Sequence, residues 1–255
     1  MNTVYIDTHC HLDAGEFDAD RSGVYQAATA AGVATIVNPA VARGNFDAVA
    51  ATCARYPGCV PAWGLHPMYV GVHRPEHLDA LRAQVDAQRP VAIGEIGLDL
   101  FVDLDYATQE YYCVEQLKIA RDADLPVLLH CRRANDQLAK LLRRTGVRGG
   151  IAHAFNGSRQ QANAFIELGF KLGFGGAFTW PRANNLRRLA AELPLEAIVL
   201  ETDSPDIPPH WIGRGRNAPG ELPRIAAVLA ELRGIGVDEV ARATTANARA
   251  LLDLA

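Results

Sequence analysis

The sequence predicts an α/β protein, a TIM (β/α)8 barrel in which residues 1–255 form a single domain. Short apolar segments alternate with amphipathic segments along the whole chain, and there is room for eight such pairs. In addition, residues that can bind metal lie at the ends of several separate strand candidates, and a barrel brings all of its strand ends to one face. A doubly wound open sheet would also explain the alternation, but it usually places its site at a single switch point.

The eight strand candidates are short and rich in valine, isoleucine and leucine. They are apolar on both sides, which is typical of parallel strands that helices cover. The candidates lie at residues 3–8, 34–39, 60–65, 91–96, 126–130, 149–153, 170–174 and 198–202. Amphipathic helix candidates lie between and after them, at residues 20–31, 44–56, 75–87, 107–124, 134–145, 158–169, 184–193, 221–233 and 237–252. Ser158 is a good N-cap for the sixth of these helices.

The composition is that of an ordinary globular protein, with 49% apolar and 21% charged residues. The net charge of −4 argues against a broadly basic surface for nucleic acid, so a local patch or metal must bind any phosphate. Five cysteines without a CxxC spacing predict free thiols in a reducing compartment, and hence a cytoplasmic protein. No signal peptide or membrane span is expected, and no obligate protein partner is evident.

Six residues with imidazole or carboxylate side chains lie at or just after the ends of apolar strand candidates. His9 and His11 are two positions apart, so in a strand both side chains point the same way. Taken singly, each residue has an ordinary alternative, such as a polar strand end, a capping carboxylate or a hydrogen-bonded histidine. Together they favour a site for divalent metal, because imidazole and carboxylate are hard-to-borderline ligands. The six are His9, His11, Glu95, His130, His153 and Asp203.

Four histidines and two carboxylates are enough for two divalent ions, which predicts metal-assisted hydrolysis. Glu95 has two carboxylate oxygens and could bridge both ions. Asp203 is the best candidate to orient the attacking water or to accept its proton. We therefore interpret both carboxylates as catalytic. The mixed ligand set leaves Mg²⁺, Mn²⁺ and Zn²⁺ open.

Three further residues are candidates for contacting the substrate. His66 ends the third strand candidate, and a buried hydrogen-bonded histidine is an equally good interpretation. Arg132 follows His130 and could meet an anionic substrate. Arg216 lies in the longest irregular stretch, residues 204–220, which follows the eighth strand candidate as a site loop would. Ordinary surface charge is the alternative for both arginines.

The motifs closely resemble those of the TatD family of metal-dependent deoxyribonucleases, within the amidohydrolase-like barrels. They occur in the expected order over nearly the whole chain: IDTHCHLD at 6–13, GLHP at 64–67, GEIGLD at 94–99, LLHCRR at 128–133, HAFNG at 153–157 and ETDSPD at 201–206. The resemblance implies a TIM barrel, and it implies that the six residues above are the metal ligands. The stretches at 100–101 and 178–181 look most like one uncharacterised hydrolase branch of the family.

Two departures from the family pattern matter. Relatives often carry Arg-Asn-Glu-Pro in the late loop, whereas this chain has Ala218 in place of the glutamate. Relatives often carry cysteine after the sixth-strand histidine, whereas this chain has Ala154. Neither departure removes a proposed ligand, but the first leaves the substrate contacts of the late loop open.

The leading functional hypothesis is a hydrolase that cleaves DNA phosphodiester bonds by metal-activated water. A 3′–5′ exonuclease acting on short or single-stranded ends is compatible with the acidic net charge. Fold and ligands do not separate this activity from an ester or amide hydrolase such as a D-aminoacyl-tRNA deacylase. A third hypothesis is a barrel that binds metal without catalysis, which the full ligand set disfavours. The chain contains neither a GxxxxGK[ST] loop nor a GxSxG elbow, so nucleotide cradling and a serine triad are not supported.

Overall fold

Eight parallel strands form the centre of the protein in a computed structural model that describes residues 3–254. The strands lie in sequence order from β1 to β8, and every paired neighbour is parallel. Their bounds are Tyr5–Asp7 (β1), Val33–Pro39 (β2), Cys59–Trp63 (β3), Ala92–Asp99 (β4), Val127–Arg132 (β5), Gly150–Ala152 (β6), Phe170–Phe174 (β7) and Ile198–Leu200 (β8). The predicted TIM barrel is confirmed, because a doubly wound sheet would not keep its strands in sequence order.

Nine α-helices within the described residues connect and cover these strands. They are Arg21–Ala30 (α1), Phe46–Arg55 (α2), Glu76–Ala87 (α3), Tyr106–Asp122 (α4), Asn135–Thr145 (α5), Arg159–Glu167 (α6), Asn184–Glu192 (α7), Leu222–Arg233 (α8) and Val237–Leu252 (α9). The side chain of Ser158 accepts a hydrogen bond from the Gln161 N–H at 3.1 Å and caps α6, as predicted. None of the helices between residues 3 and 254 is long and apolar enough to cross a membrane.

The first and last strands meet and nearly close the barrel. The Thr8 N–H donates to the carbonyl oxygen of Leu200 at 3.1 Å, and the Asp203 N–H donates to that of His9 at 2.8 Å. Cys10 and Ser204 form a further parallel bridge beyond the regular strands. These bonds join the two segments that carry His9 and Asp203, so closure of the barrel also brings those two residues together.

Apolar side chains fill the protein on both faces of the sheet. One buried cluster takes a residue from each of seven strands, which places it inside the barrel, and Ala248 and Leu252 of α9 pack against it. A larger cluster lies between the strands and the surrounding helices. Removing this surface from water is the main stabilising term, at about 25 cal/mol per Å² of apolar area. Histidine and carboxylate side chains, by contrast, lie at the carboxyl ends of the strands.

Candidate metal centre

The carboxyl ends of the strands carry a cluster of histidine and carboxylate side chains, which we call the donor cluster. Its first part lies where β1 and β8 end. The two Nε2 atoms of His9 and His11 are 3.4 Å apart. Oδ1 of Asp203 lies 3.7 Å from Nε2 of His9 and 3.8 Å from Nε2 of His11. These three donor atoms are close enough together to hold one cation.

Glu95 is almost completely buried and faces two sets of donors at once. Its Oε2 lies 3.0 Å from Nε2 of His9 and 3.7 Å from Nε2 of His11. Its Oε1 lies 3.0 Å from Nδ1 of His130 and 3.2 Å from Nε2 of His66. The carboxylate therefore lies between two groups of nitrogen atoms and directs one oxygen to each.

His153 joins the first of these groups from the end of β6. Its ring stacks on the ring of His9 with the centroids 3.6 Å apart. Its Nε2 lies 3.5 Å from Oδ1 of Asp203. The structure thus brings together all six residues that the sequence suggested as metal ligands, and their role as ligands stays a prediction.

Contacts on the far side of two histidine rings decide which ring nitrogen is free. Nδ1 of His11 lies 3.2 Å from the carbonyl oxygen of Pro39, and because that oxygen only accepts, Nδ1 carries the proton. Nε2 of His130 lies 2.9 Å from Oδ2 of Asp99 and donates to it in the same way. The lone pair on Nε2 of His11 then points into the donor cluster, and so does the lone pair on Nδ1 of His130 when that ring is neutral, as in metal-binding histidines.

Glu201 occupies the corresponding position behind His153. Its Oε1 lies 3.0 Å from Nδ1 of His153, an ion-pair distance without hydrogen-bond geometry, and accepts a 2.6 Å hydrogen bond from the Ala154 N–H. Ala154 has a φ of +43°, a left-handed conformation that few residues other than glycine adopt. A Cβ at Gly173 would overlap Oε2 of Glu201, so glycine is required there. Glu201 is thus enclosed behind the histidine and limits its movement.

His66 differs from the other histidines in its tautomer. The Met68 N–H donates to Nδ1 of His66 at 3.1 Å, so the neutral ring carries its proton on Nε2 and donates from there to Glu95. Burial lowers the pKa of His66 to about 4, which keeps the ring neutral. His66 is close enough to Glu95 and His130 to complete a group of donors. A protonated Nε2 has no lone pair for a metal, however, so the geometry favours a hydrogen-bond donor.

Both carboxylates at the centre of the donor cluster are held in their ionised form. Burial by itself raises the pKa of Glu95, but the neighbouring histidines, His66 foremost, hold that pKa well below its ordinary value. Burial also raises the pKa of Asp203, and His153 outweighs it so that the pKa is lowered. Conversely, burial lowers the pKa of His153, yet Glu201 and Asp203 raise it well above its ordinary value. The site therefore attracts positive charge.

This set of donors fits divalent cations. Burial lowers the pKa of His130, but its hydrogen bonds with Asp99 and Glu95 raise it to about 9. The His130 ring therefore binds a second proton, and a metal ion could supply this positive charge instead. Without a cation or extra protons, the lone pairs of His11 and His130 would face carboxylate oxygens at 3.7 and 3.0 Å. Imidazole and carboxylate are also the ligand types that divalent transition metals accept.

The donor cluster lies at the bottom of an open cleft of about 860 Å³, a volume in the range of small-molecule and cofactor sites. The lining includes His11, Glu95, His130, His153 and Asp203 from the cluster itself. Loops that follow β1, β3 and β8 supply most of the remaining lining, and Cys131 and Arg132 at the end of β5 add to it.

Two of the three residues predicted to contact the substrate line this cleft. His66 lies near its floor, and Arg132 lies at its rim with the guanidinium carbon 3.7 Å from the ring centre of Phe101. Arg216 is not brought to the cleft. Its guanidinium group donates to both carboxylate oxygens of Asp20, at 2.9 and 2.6 Å, and lies over the ring of Phe17. The late loop therefore directs Arg216 to the segment before α1.

Four polar residues that were not among the predicted site residues hold the site in place, namely Asp7, Asp99, Glu201 and Asn217. Asp7 accepts hydrogen bonds from the N–H and the hydroxyl of Thr202 at 2.9 and 2.6 Å. The side-chain amide of Asn217 donates to the carbonyl oxygen of Thr202 at 2.8 Å and to two carbonyls of the late loop. A usable pattern existed for Asp99, because it lies four residues after Glu95 and so on the same face of β4.

Comparisons with known proteins agree with this geometry. A family model described as TatD related DNase matches residues 6–253. A protein of Escherichia coli K12 named uncharacterized metal-dependent hydrolase YjjV is 43% identical over 98% of both chains. A crystal structure of YjjV, described as a TatD homolog, has a TM-score of 0.96 and 42% identity and covers 100% of both chains. The human protein named deoxyribonuclease TATDN3 is 31% identical and covers 95% of this chain and 92% of its own. The chain therefore belongs to the family of TatD-related DNases.

Proposed function

We propose that this protein is a metal-dependent hydrolase that cleaves DNA phosphodiester bonds with the help of two divalent ions. The proposal depends on the position of Glu95, whose two oxygens each lie 3.0 Å from a histidine nitrogen of a different group. A buried carboxylate between two groups of donors fits two ions that share it. The names of relatives support the same chemistry, since YjjV is called a metal-dependent hydrolase and TATDN3 a deoxyribonuclease.

Six residues would hold the ions, and they are the ligands that the sequence suggested. They are His9, His11, Glu95, His130, His153 and Asp203. Imidazole suits zinc, whereas carboxylate suits magnesium and manganese. Because four of the six residues are histidines, this set favours Zn²⁺ over Mg²⁺ and Mn²⁺. His66 is left out, since its Nε2 carries a proton.

Bound ions would lower the pKa of a water molecule and neutralise charge on the phosphodiester. The chain's own residues supply the remaining functions. Asp203 is ionised despite its burial, because His153 lowers its pKa, and its carboxylate can accept the proton of the attacking water. His66 presents an N–H at the floor of the cleft and can donate to a phosphoryl oxygen. Glu95 stays ionised between the two donor groups.

Short or single-stranded ends of DNA are the substrate that we propose. The net charge is −4, and the cleft presents Asp13, Glu16 and Asp206 as well as Arg132, so it offers a long duplex little attraction. The end of a single strand needs only one local set of contacts. All five cysteines are free thiols, which supports the predicted reducing, cytoplasmic environment.

Hydrolysis of an end-labelled single-stranded oligonucleotide tests the proposal. The protein is stripped of metal, and Zn²⁺, Mn²⁺ or Mg²⁺ is added back singly. We expect metal-dependent shortening of the strand, slowed at least about 100-fold in Asp203→Asn. Asp47→Asn is a matched control, because it removes a carboxylate from an exposed turn of α2 and should cleave like the wild type. Labelling the 5′ or the 3′ end reports the direction of cleavage.

Other outcomes would contradict separate parts of the proposal. If the protein binds metal but cleaves no DNA, the nuclease assignment is wrong, and ester and amide substrates such as D-aminoacyl-tRNA become the next candidates. Equal cleavage of sealed circular DNA would contradict the preference for ends. Full activity of Asp203→Asn would contradict the role of that carboxylate. Metal binding without activity on any of these substrates would favour a non-catalytic barrel.

A further inference from the structure

Exposed apolar side chains are concentrated after two neighbouring strands, β3 and β4. Among the described residues, eight large apolar side chains are exposed, and six of them belong to the loops after β3 and β4 or to the first turns of α4. These six are Met68, Tyr69, Val72, Phe101, Tyr106 and Tyr111. Single exposed apolar residues are ordinary, but a concentration of them beside a cleft indicates a binding surface.

Two arginines without an acidic partner among residues 3–254 lie against this surface. The guanidinium carbons of Arg132 and Arg133 lie 3.7 and 4.7 Å from the ring centre of Phe101. Consecutive residues of a strand point in opposite directions, but Arg133 has a φ of +57°, and this break lets both side chains reach the same ring. A flat guanidinium at 3.7 Å from a ring centre is a cation–π contact, which holds Arg132 in place at the rim.

This surface is continuous with the cleft, because Met68, Tyr69 and Arg132 line the cleft itself. We call five residues from the loops after β3 and β4 and from the end of β5 the aromatic–arginine strip. They are Met68, Tyr69, Phe101, Arg132 and Arg133. The strip comes from the ends of β3, β4 and β5, and it therefore borders the side of the donor cluster that carries His66 and His130.

The opposite wall of the cleft has a different charge. The loops that follow β1 and β8 present Asp13, Glu16 and Asp206 to the cleft. In a ring of eight strands, β1 and β8 are neighbours, and β4 lies across from them. A polyanion that reaches the donor cluster is therefore attracted towards the strip and repelled by the wall that faces it.

We propose that the aromatic–arginine strip binds unpaired bases of a DNA single strand next to the bond that is cut. This inference rests on the proposed function. Exposed aromatic rings and flat guanidinium groups stack on any base, and the positive charge favours the phosphates between the bases. A duplex cannot use such a surface, because its bases already stack on each other. The strip would thus select strands whose last bases are unpaired.

Two matched oligonucleotides test this inference by fluorescence anisotropy with the metal-loaded protein. Both are single-stranded and carry phosphorothioate linkages that resist hydrolysis, but one has abasic sites near its end, so the charge is equal and the bases are missing. We expect the wild type to bind the strand with bases at least about tenfold more tightly. Tyr69→Ala and Phe101→Ala should lose most of this preference, and Phe101→Trp should keep it.

Val237→Ala is the control for these variants, because it removes an exposed apolar side chain at the start of α9 and should keep the preference. Equal affinity of the wild type for both strands would overturn the inference, as would an unchanged preference in both alanine variants. If light scattering shows a dimer that Phe101→Ala disrupts, the strip binds a second copy of the chain instead, and the inference is wrong.

Failure of this inference and failure of the proposed function can be told apart with a small diester. If the wild type cleaves methyl 4-nitrophenyl phosphate and DNA with metal but shows no preference for bases, only the role of the strip is wrong. If it cleaves neither substrate with any ion, the proposed function fails, and the strip loses its assigned ligand as well.

Discussion

The donor cluster and the aromatic–arginine strip are neighbours, but they are held in place differently. In the donor cluster, Glu95 is 2% exposed, and His130 is fixed from behind by a 2.9 Å contact with Asp99. In the strip, Phe101 is 49% exposed, and its contact with Arg132 is between two side chains at the surface. The difference indicates that the geometry for breaking the bond belongs to the strand ends, whereas the choice of substrate belongs to loops that can change independently.

Glu95→Gln should have the largest effect on the chemistry. Glutamine keeps the size of the side chain but removes the charge and one acceptor oxygen, so both donor groups lose the ligand they share. We expect kcat to fall more than about 100-fold. Elemental analysis should find that the variant retains less metal than the wild type. Two ions bound as tightly as in the wild type would contradict the bridging role.

The carboxylates behind the histidines should have the next largest effect. Asp99→Asn and Glu201→Gln leave every proposed ligand in place but weaken the contacts that orient His130 and His153. Such changes typically lower metal affinity by about 10- to 100-fold, which competition with a chelator measures.

Asp103→Asn is the control for these two variants, because it removes an exposed carboxylate four residues after Asp99. An equal loss of metal affinity in the control would show that overall charge, and not orientation of the rings, is responsible. Wild-type metal affinity in both Asp99→Asn and Glu201→Gln would show that the carboxylates behind the histidines do not hold the donor cluster in place. The contrast with the exposed rim would then be wrong.

His66 lies between the donor cluster and the strip. Variants of His66 test whether it acts as a metal ligand or as a hydrogen-bond donor. His66→Leu removes the Nε2–H donor, so kcat should fall by at least about tenfold while the metal content stays at the wild-type level. His66→Gln keeps an N–H donor and should recover part of the loss. A parallel fall of metal content and kcat would instead make His66 a ligand, against the tautomer set by the Met68 N–H.

Much of the donor cluster could be predicted because it depends on periodicity. Strand ends can be located from apolar runs, and parallel strands of a barrel bring their ends to one face, so six residues spread from His9 to Asp203 were expected to meet. Asp99 was not predicted because β4 runs three residues beyond its predicted end at residue 96. Glu201 was not predicted because only Asp203 was interpreted in the motif at 201–206.

The rim could not be predicted in the same way, because its side chains depend on the path of each loop. Buried Asn217 holds the late loop through three carbonyl oxygens, and this path takes Arg216 to Asp20 and away from the cleft. Likewise, the contact of Arg133 with Phe101 depends on the left-handed backbone conformation of Arg133, which no sequence pattern predicts. Loop paths follow from many weak local contacts, and a single sequence does not rank them.

The smallest predicted contrast concerns two arginines that look alike in the sequence. Arg132→Ala should raise KM for a single-stranded oligonucleotide about tenfold, since it removes a cation from the rim of the cleft that has no acidic partner within residues 3–254. Arg216→Ala should leave KM within about twofold of the wild type, because Asp20 already binds its guanidinium group. A fall of kcat in Arg132→Ala would show that the rim contributes to the chemistry as well as to binding. A raised KM in Arg216→Ala would support the predicted contact of Arg216 with the substrate. Since each variant removes one positive charge, a difference between them reports position and not net charge.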